Sequence, residues 1–127
     1  MRFVLDASAV LALLHAEPGS ERVERALVEG AGMVSVNYAE VVGKLCDAGY
    51  AETEARASLV GLQLRIVPFD EGLAFDAGWL RSSARCRGLS LGDRACLAFG
   101  RRLGLPVLTT DRAWRDAEVG VEVVVVR

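Results

Sequence analysis

The chain is 127 residues long, 52% hydrophobic and 25% charged, with a formal net charge of −2, and no linker-like or compositional break divides it, so one domain spanning residues 1–127 with a real core is expected. The mild negative charge excludes a global positive field for holding nucleic acid. Three cysteines without C-x-x-C spacing (Cys46, Cys86, Cys96) argue against a disulfide framework or structural zinc, and a single histidine, His15, leaves His-based metal sites and triads almost nothing to build on.

Residues 2–5 form a short, largely apolar run, as expected of a strand covered on both faces, and Asp6 ends it. Asp6 also interrupts the apolar N-terminal stretch that would otherwise suggest a signal peptide. No later run approaches the length of a bilayer span, so a soluble, cytoplasmic protein is expected. Ser8 can cap a helix through Leu14, stopped by Pro18. Ser20 opens a second helical pattern with Val23, Leu27 and Val28 on one side, and Met33–Val36 reads as the second strand. Asn37 then caps a helix from Tyr38 to about Ala48, closed by Gly49.

Thr53 starts a further helix with Ala57, Leu59, Val60 and Leu62 as its expected buried residues. Ile66–Phe69 is a third strand, which Pro68 assigns to an edge. Helical spacing through Leu73, Ala74, Ala77 and Leu80 predicts a helix over 71–87, with Phe75, Trp79 and the later Trp114 as packing residues. Ser90 caps the next helix, which runs to Leu103 and is closed by Gly104. Residues 107–109 and 121–126 supply the last two strands. Such alternation predicts an α/β fold: a mostly parallel central sheet of about five strands with helices on both faces, α/β/α in layers.

In that architecture strand C-termini and helix N-termini share one rim, where ligands bind. Asp6 and Asp111 leave strand ends, while Glu40 and Asp93 stand in expected first helical turns, so residues 34, 53 and 18 positions apart in sequence converge. Four convergent carboxylates repel one another unless a cation intervenes. All-oxygen ligation favours Mg²⁺ or Mn²⁺ over zinc, and such ions activate water for attack on phosphorus. Taken singly, each acid has an ordinary role: Asn37-x-x-Glu40 and Ser90-x-x-Asp93 have capping-box spacing, and Asp6 and Asp111 suit turns. Ser8, Asn37 and Thr110 adjoin the acids and can orient ligands or water around them, and Asp116 offers one more carboxylate. The basic residues are 14 Arg and one Lys, Lys44; of these Arg94, Arg112 and Arg115 adjoin two of the acids and are candidate RNA phosphate contacts.

The motifs Val4-Leu5-Asp6-Ala7-Ser8-Ala9, Val36-Asn37-Tyr38-Ala39-Glu40-Val41, Leu89-Ser90-Leu91-Gly92-Asp93-Arg94 and Leu108-Thr109-Thr110-Asp111-Arg112-Ala113-Trp114 follow one another along the chain. In that order and spacing the sequence resembles the PIN-domain ribonucleases, and among them the VapC-type toxins of prokaryotic toxin-antitoxin pairs. The resemblance spans essentially the whole chain. It implies a PIN-like fold and Mg²⁺- or Mn²⁺-dependent RNA cleavage, with Asp6, Glu40, Asp93 and Asp111 as the catalytic, metal-binding quartet. It further implies inhibition by a small VapB-type antitoxin and a homodimeric toxin. Gly92 stands where that family's pattern leads one to expect alanine.

Two other readings compete. A PIN-like module can bind RNA or protein without cutting. A receiver-type phosphoacceptor domain shares the length and alternation, but needs an acidic pair after the first strand and a lysine near the last; here Asp6 is alone and Lys44 is the only lysine. A phosphatase using two aspartates one residue apart fails at Ser8.

Overall fold

Phe3–Leu5 forms β1, and Asp6 turns the chain into α1, Ala7–Leu14. Then come α2 (Ser20–Glu29), β2 (Ala31–Val34), α3 (Ser35–Asp47), α4 (Glu52–Val60) and β3 (Arg65–Val67). After α5 (Glu71–Trp79), two single-turn 3₁₀ segments at 80–82 and 84–86 lead to α6 (Leu91–Leu103), β4 (Val107–Thr109), a 3₁₀ turn at 112–116 and β5 (Val123–Val125). This computed structural model describes all 127 residues.

The strands lie in the order β3-β2-β1-β4-β5, and every adjacent pair is parallel. Successive side chains of a strand point to opposite faces. Val4, Val34 and Val107 therefore enter one core, under α5 and α6, while Leu5, Met33 and Leu108 enter the other, under α1 to α4. Each such fully buried aliphatic side chain contributes about 1.5–3 kcal/mol relative to exposure. Helix α6 is shielded from Arg94 through Gly100, an all-round burial that suits its position over the middle of the sheet. Gly104, at φ +66°, closes it in the left-handed conformation.

The order turns outward in both directions from the β1/β4 pair, which makes that pair the switch point, where open α/β sheets bind ligands. A receiver-type domain requires 2-1-3-4-5 instead, so this sheet excludes it. No helix is long and apolar enough to cross a membrane.

Several local expectations are corrected. Asp6, not Ser8, caps α1, because its carboxylate reaches the Ala9 N–H at 2.8 Å. Helix α3 starts at Ser35, directly from β2, so Asn37 lies inside the helix and Glu40 falls in its second turn. Pro68 follows β3 rather than lying in it, although β3 is indeed an edge strand. The helix expected over 71–87 ends at Trp79, where the backbone tightens into 3₁₀ turns. Ala57 and Val60, expected to be buried, and Phe75 and Trp79, expected to pack, are exposed, as is Val28, and the two aromatic rings stack at 6.0 Å. Trp114 is buried as expected. All three cysteines are free.

Candidate active site

Asp6 follows β1 and Asp111 follows β4, so the two flank the switch point. Glu40 comes from α3 and Asp93 from the first turn of α6. All four line one cleft of about 210 Å³, together with Ala7, Ser8, Leu11, Asn37 and Lys44.

Asp6 is the buried member, only 5% exposed. Two short relays from the end of β4 hold its carboxylate. The Asp111 N–H donates to Thr109 Oγ1 (3.0 Å), whose hydroxyl donates to Asp6 Oδ2 (2.6 Å). The Thr110 N–H donates to Ser8 Oγ (3.0 Å), which lies 2.7 and 2.9 Å from the two Asp6 oxygens. Burial pushes the Asp6 pKa up from 3.8 to about 6, and the Asp93 charge adds to this; the hydrogen bonds from Thr109, Ala9 and Ser8 oppose the rise without cancelling it. Cys96, fully buried behind the cleft, has its thiol pKa raised by the same burial and by the charges of Asp6, Asp93 and Glu40.

Asp93 forms a reciprocal capping box with Ser90: its Oδ2 accepts from the Ser90 N–H (3.0 Å), and its own N–H donates to Ser90 Oγ (3.1 Å). Capping uses one carboxylate oxygen and leaves the other without a hydrogen bond. Asp111 is similar, with Oδ1 accepting from the Ala113 N–H at 2.9 Å. Glu40 Oε1 accepts from Asn37 Nδ2 at 2.8 Å, and the same amide donates to the Gly92 carbonyl at 2.9 Å, tying α3 to the start of α6. The Glu40 carboxyl lies directly over Gly92: a Cβ on residue 92 would come within 2.5 Å of Oε1. Glycine here lets Glu40 lie against the α6 backbone, which accounts for the departure from alanine.

Other predicted site residues separate clearly. Ser8 and Asn37 adjoin the acids. Thr110 does so only through its backbone, and the hydroxyl on Asp6 belongs to Thr109, which sequence reasoning passed over by one position. Arg94 is not available as an RNA contact: it is 8% exposed, and its guanidinium donates to the Ala77 carbonyl (2.8 Å) in the last turn of α5. The periodicity of α6 contains the signal, since Arg94 falls among consecutive core residues. Arg112 and Arg115 are exposed on the 3₁₀ turn after Asp111, as is Asp116, which does not line the cleft. Lys44 was also missed; its spacing of four from Glu40 predicts a shared helix face.

The donor set is all oxygen, which suits a hard dication. No three acids are arranged beforehand as ligands about a common point. That still fits Mg²⁺, which keeps several waters and binds through one or two carboxylates. Asn37 Oδ1, buried in the cleft wall with no partner, is a further acceptor for a metal-bound water. A larger, mostly apolar groove of about 430 Å³ between α3 and α4 has no convergent acids.

A sequence model of the PIN domain matches residues 3–120. The chain belongs to the PIN-domain family. Solved structures with the same fold include VapBC2 of Rickettsia felis bound to a DNA fragment from its promoter, where the matched chain is 16% identical with a TM-score of 0.76 and 98% of each chain is covered. FitAcB of Neisseria gonorrhoeae is 25% identical with a TM-score of 0.64, covering 95% of each chain. VapC20 of Mycobacterium tuberculosis, a toxin that cleaves the sarcin-ricin loop, is 18% identical with a TM-score of 0.71, covering 94% of this chain and 98% of its own. No curated protein matches the sequence significantly.

Proposed function

We propose that the protein is an endoribonuclease toxin that hydrolyses RNA phosphodiester bonds with Mg²⁺ or Mn²⁺ at the acidic cleft, and that a small VapB-type antitoxin neutralises it. The observation that carries this reading is the convergence of Asp6, Glu40, Asp93 and Asp111, from four separate parts of the chain, on one cleft at the sheet's switch point. Kinship with VapBC and FitAB proteins supports the toxin and antitoxin roles. A bound dication supplies charge neutralisation and a more acidic water. The chain's own residues do the positioning. Thr109 and Ser8 fix the rotamer of Asp6, Asn37 holds Glu40 against α6, and the capping box holds Asp93 at the helix start.

Purified protein should cleave single-stranded RNA only when Mg²⁺ or Mn²⁺ is present, in a cytoplasmic-type buffer. Asp6→Asn and Asp93→Asn should each lower the rate by about 10³-fold or more with an unchanged circular-dichroism spectrum. Undiminished cleavage in both variants would refute the assignment. Homodimerisation belongs to the same reading, and sedimentation equilibrium tests it. A non-cleaving PIN-like binding module is the second reading. RNA binding without metal-dependent cleavage would decide for it.

A further inference from the structure

We infer that Lys44 is a phosphate-binding residue of the acidic cleft, holding the RNA backbone beside the four carboxylates; this rests on the RNA-cleaving reading above. Lys44 is the chain's only lysine, and it lines the same cleft as the acids. It stands on α3 one turn beyond Glu40, so Asn37, Glu40 and Lys44 form one stripe along the helix. The side chain is exposed, and none of the molecule's ion pairs, at N···O distances up to 4.0 Å, involves it. Two acids lie within one helical turn of it on α3: Glu40 is already engaged by Asn37, and Asp47 forms no ion pair with it.

Of the charged residues that line the cleft, Lys44 is the one cation, so it is the one charge there that attracts an entering polyanion. The choice of lysine also follows from chemistry. An arginine one turn from Glu40 would fork onto the carboxylates and close the cleft, because guanidinium and carboxylate match in two-point geometry. A lysine ammonium is a hydrated point charge on a flexible stem, free to leave the acids for a phosphate oxygen. The predicted RNA contact at Arg94 is thus replaced by a cation within the cleft itself.

The test uses full-length protein carrying Asp93→Asn, to prevent turnover, and a fluorescein-labelled single-stranded RNA in Mg²⁺ buffer across a salt series. Lys44→Ala should weaken binding by about tenfold at low salt and flatten the slope of log K against log salt by about 0.7, the contribution of one phosphate contact on a single strand. Lys44→Arg, whose guanidinium would fork onto the carboxylates, should recover little of the affinity or slope, and Arg56→Ala, an exposed basic residue on α4, should change neither quantity. With the active chain, Lys44→Ala should raise KM far more than it lowers kcat. An unchanged affinity and slope in Lys44→Ala would overturn the inference while leaving the nuclease reading intact, as would a variant that loses only antitoxin binding. If the Asp93→Asn parent binds no RNA at all, the RNA reading of the cleft and the role of Lys44 both fall.

Discussion

At Asp6, burial and charge oppose each other. The carboxyl is 5% exposed, and its pKa of about 6 lies above the 3.8 of an unfolded chain. The folded state therefore holds this proton more tightly than the unfolded state does, so the contribution to stability is complete below pH 4 and is lost as pH rises through about 6. The loss amounts to roughly 3 kcal/mol for a shift of this size, equivalent to a fall in Tm on the order of 10 °C. Thermal melts of metal-free protein should show that decline between pH 4 and 7, and Mn²⁺ should offset it at pH 7 by stabilising the ionised form. Asp6→Asn should flatten the decline, and a wild-type melting profile independent of pH over this range would contradict the account. Below pH 6 the cation competes with a proton, so its apparent affinity should weaken about tenfold per pH unit. Thr109→Val removes the 2.6 Å donor to Asp6 and should weaken Mn²⁺ binding further, by isothermal titration. That threonine was hard to find in the sequence. Two adjacent threonines end β4, and only the register of the strand, with Leu108 and Val107 facing opposite cores, decides which hydroxyl meets Asp6.

Helices α3 and α6 show how an element's start aims its side chains. The sequence Met33-Val34-Ser35-Val36 looks like a strand because two of its four residues are β-branched. Ser35 instead begins α3, accepting the Phe69 N–H on its hydroxyl at 2.9 Å, a contact with a segment 34 residues away. Such a tertiary contact has no local signature. The capping box of α6, by contrast, was fully legible, since all of its partners lie within four residues. Gly92→Ala gains about 0.5–1 kcal/mol of helix propensity, while the new methyl pushes Glu40 from its place over the helix. The variant should melt no lower than wild type yet show altered Mn²⁺ affinity; unchanged affinity would mean that Glu40 takes no part in binding. Arg94 ties α6 to the last turn of α5, where a cation also meets the negative helix end. Arg94→Ala should cost about 2–3 kcal/mol in urea denaturation and leave the salt dependence of RNA binding unchanged. The end of α5 at Trp79 has a weak signal in the sequence, because helical spacing continues past it to Leu80, no proline follows, and Gly78 lies inside the helix rather than after it.

Across the whole molecule, alternating apolar runs and helical patterns were enough to read the layered parallel architecture, because each strand buried on both faces leaves a short continuous apolar segment. The strand order was not legible, since nothing local distinguishes a crossover to the left from one to the right. That order positions the candidate site: beginning at β1, the chain lays β2 and β3 on one side, then returns to lay β4 and β5 on the other, and the cleft lies beyond the C-terminal ends of the paired β1 and β4, where the two halves meet. A ligand bound at that seam contacts both halves, so Mn²⁺ at 100 times its dissociation constant should stabilise the fold by about 2.7 kcal/mol, with little effect on Asp93→Asn. Differential scanning calorimetry can measure this, and an equal rise in the variant would place the cation elsewhere.

Every member of the acidic quartet also has a second occupation. Asp6 caps α1, Asp93 completes the capping box of α6, Asp111 caps a 3₁₀ turn, and Glu40 anchors an amide that joins two helices. A lineage relieved of selection for its chemistry would thus still be under pressure to keep acids or amides at these positions. Substitutions that survive at these positions should then run through aspartate-to-asparagine changes rather than through small apolar residues.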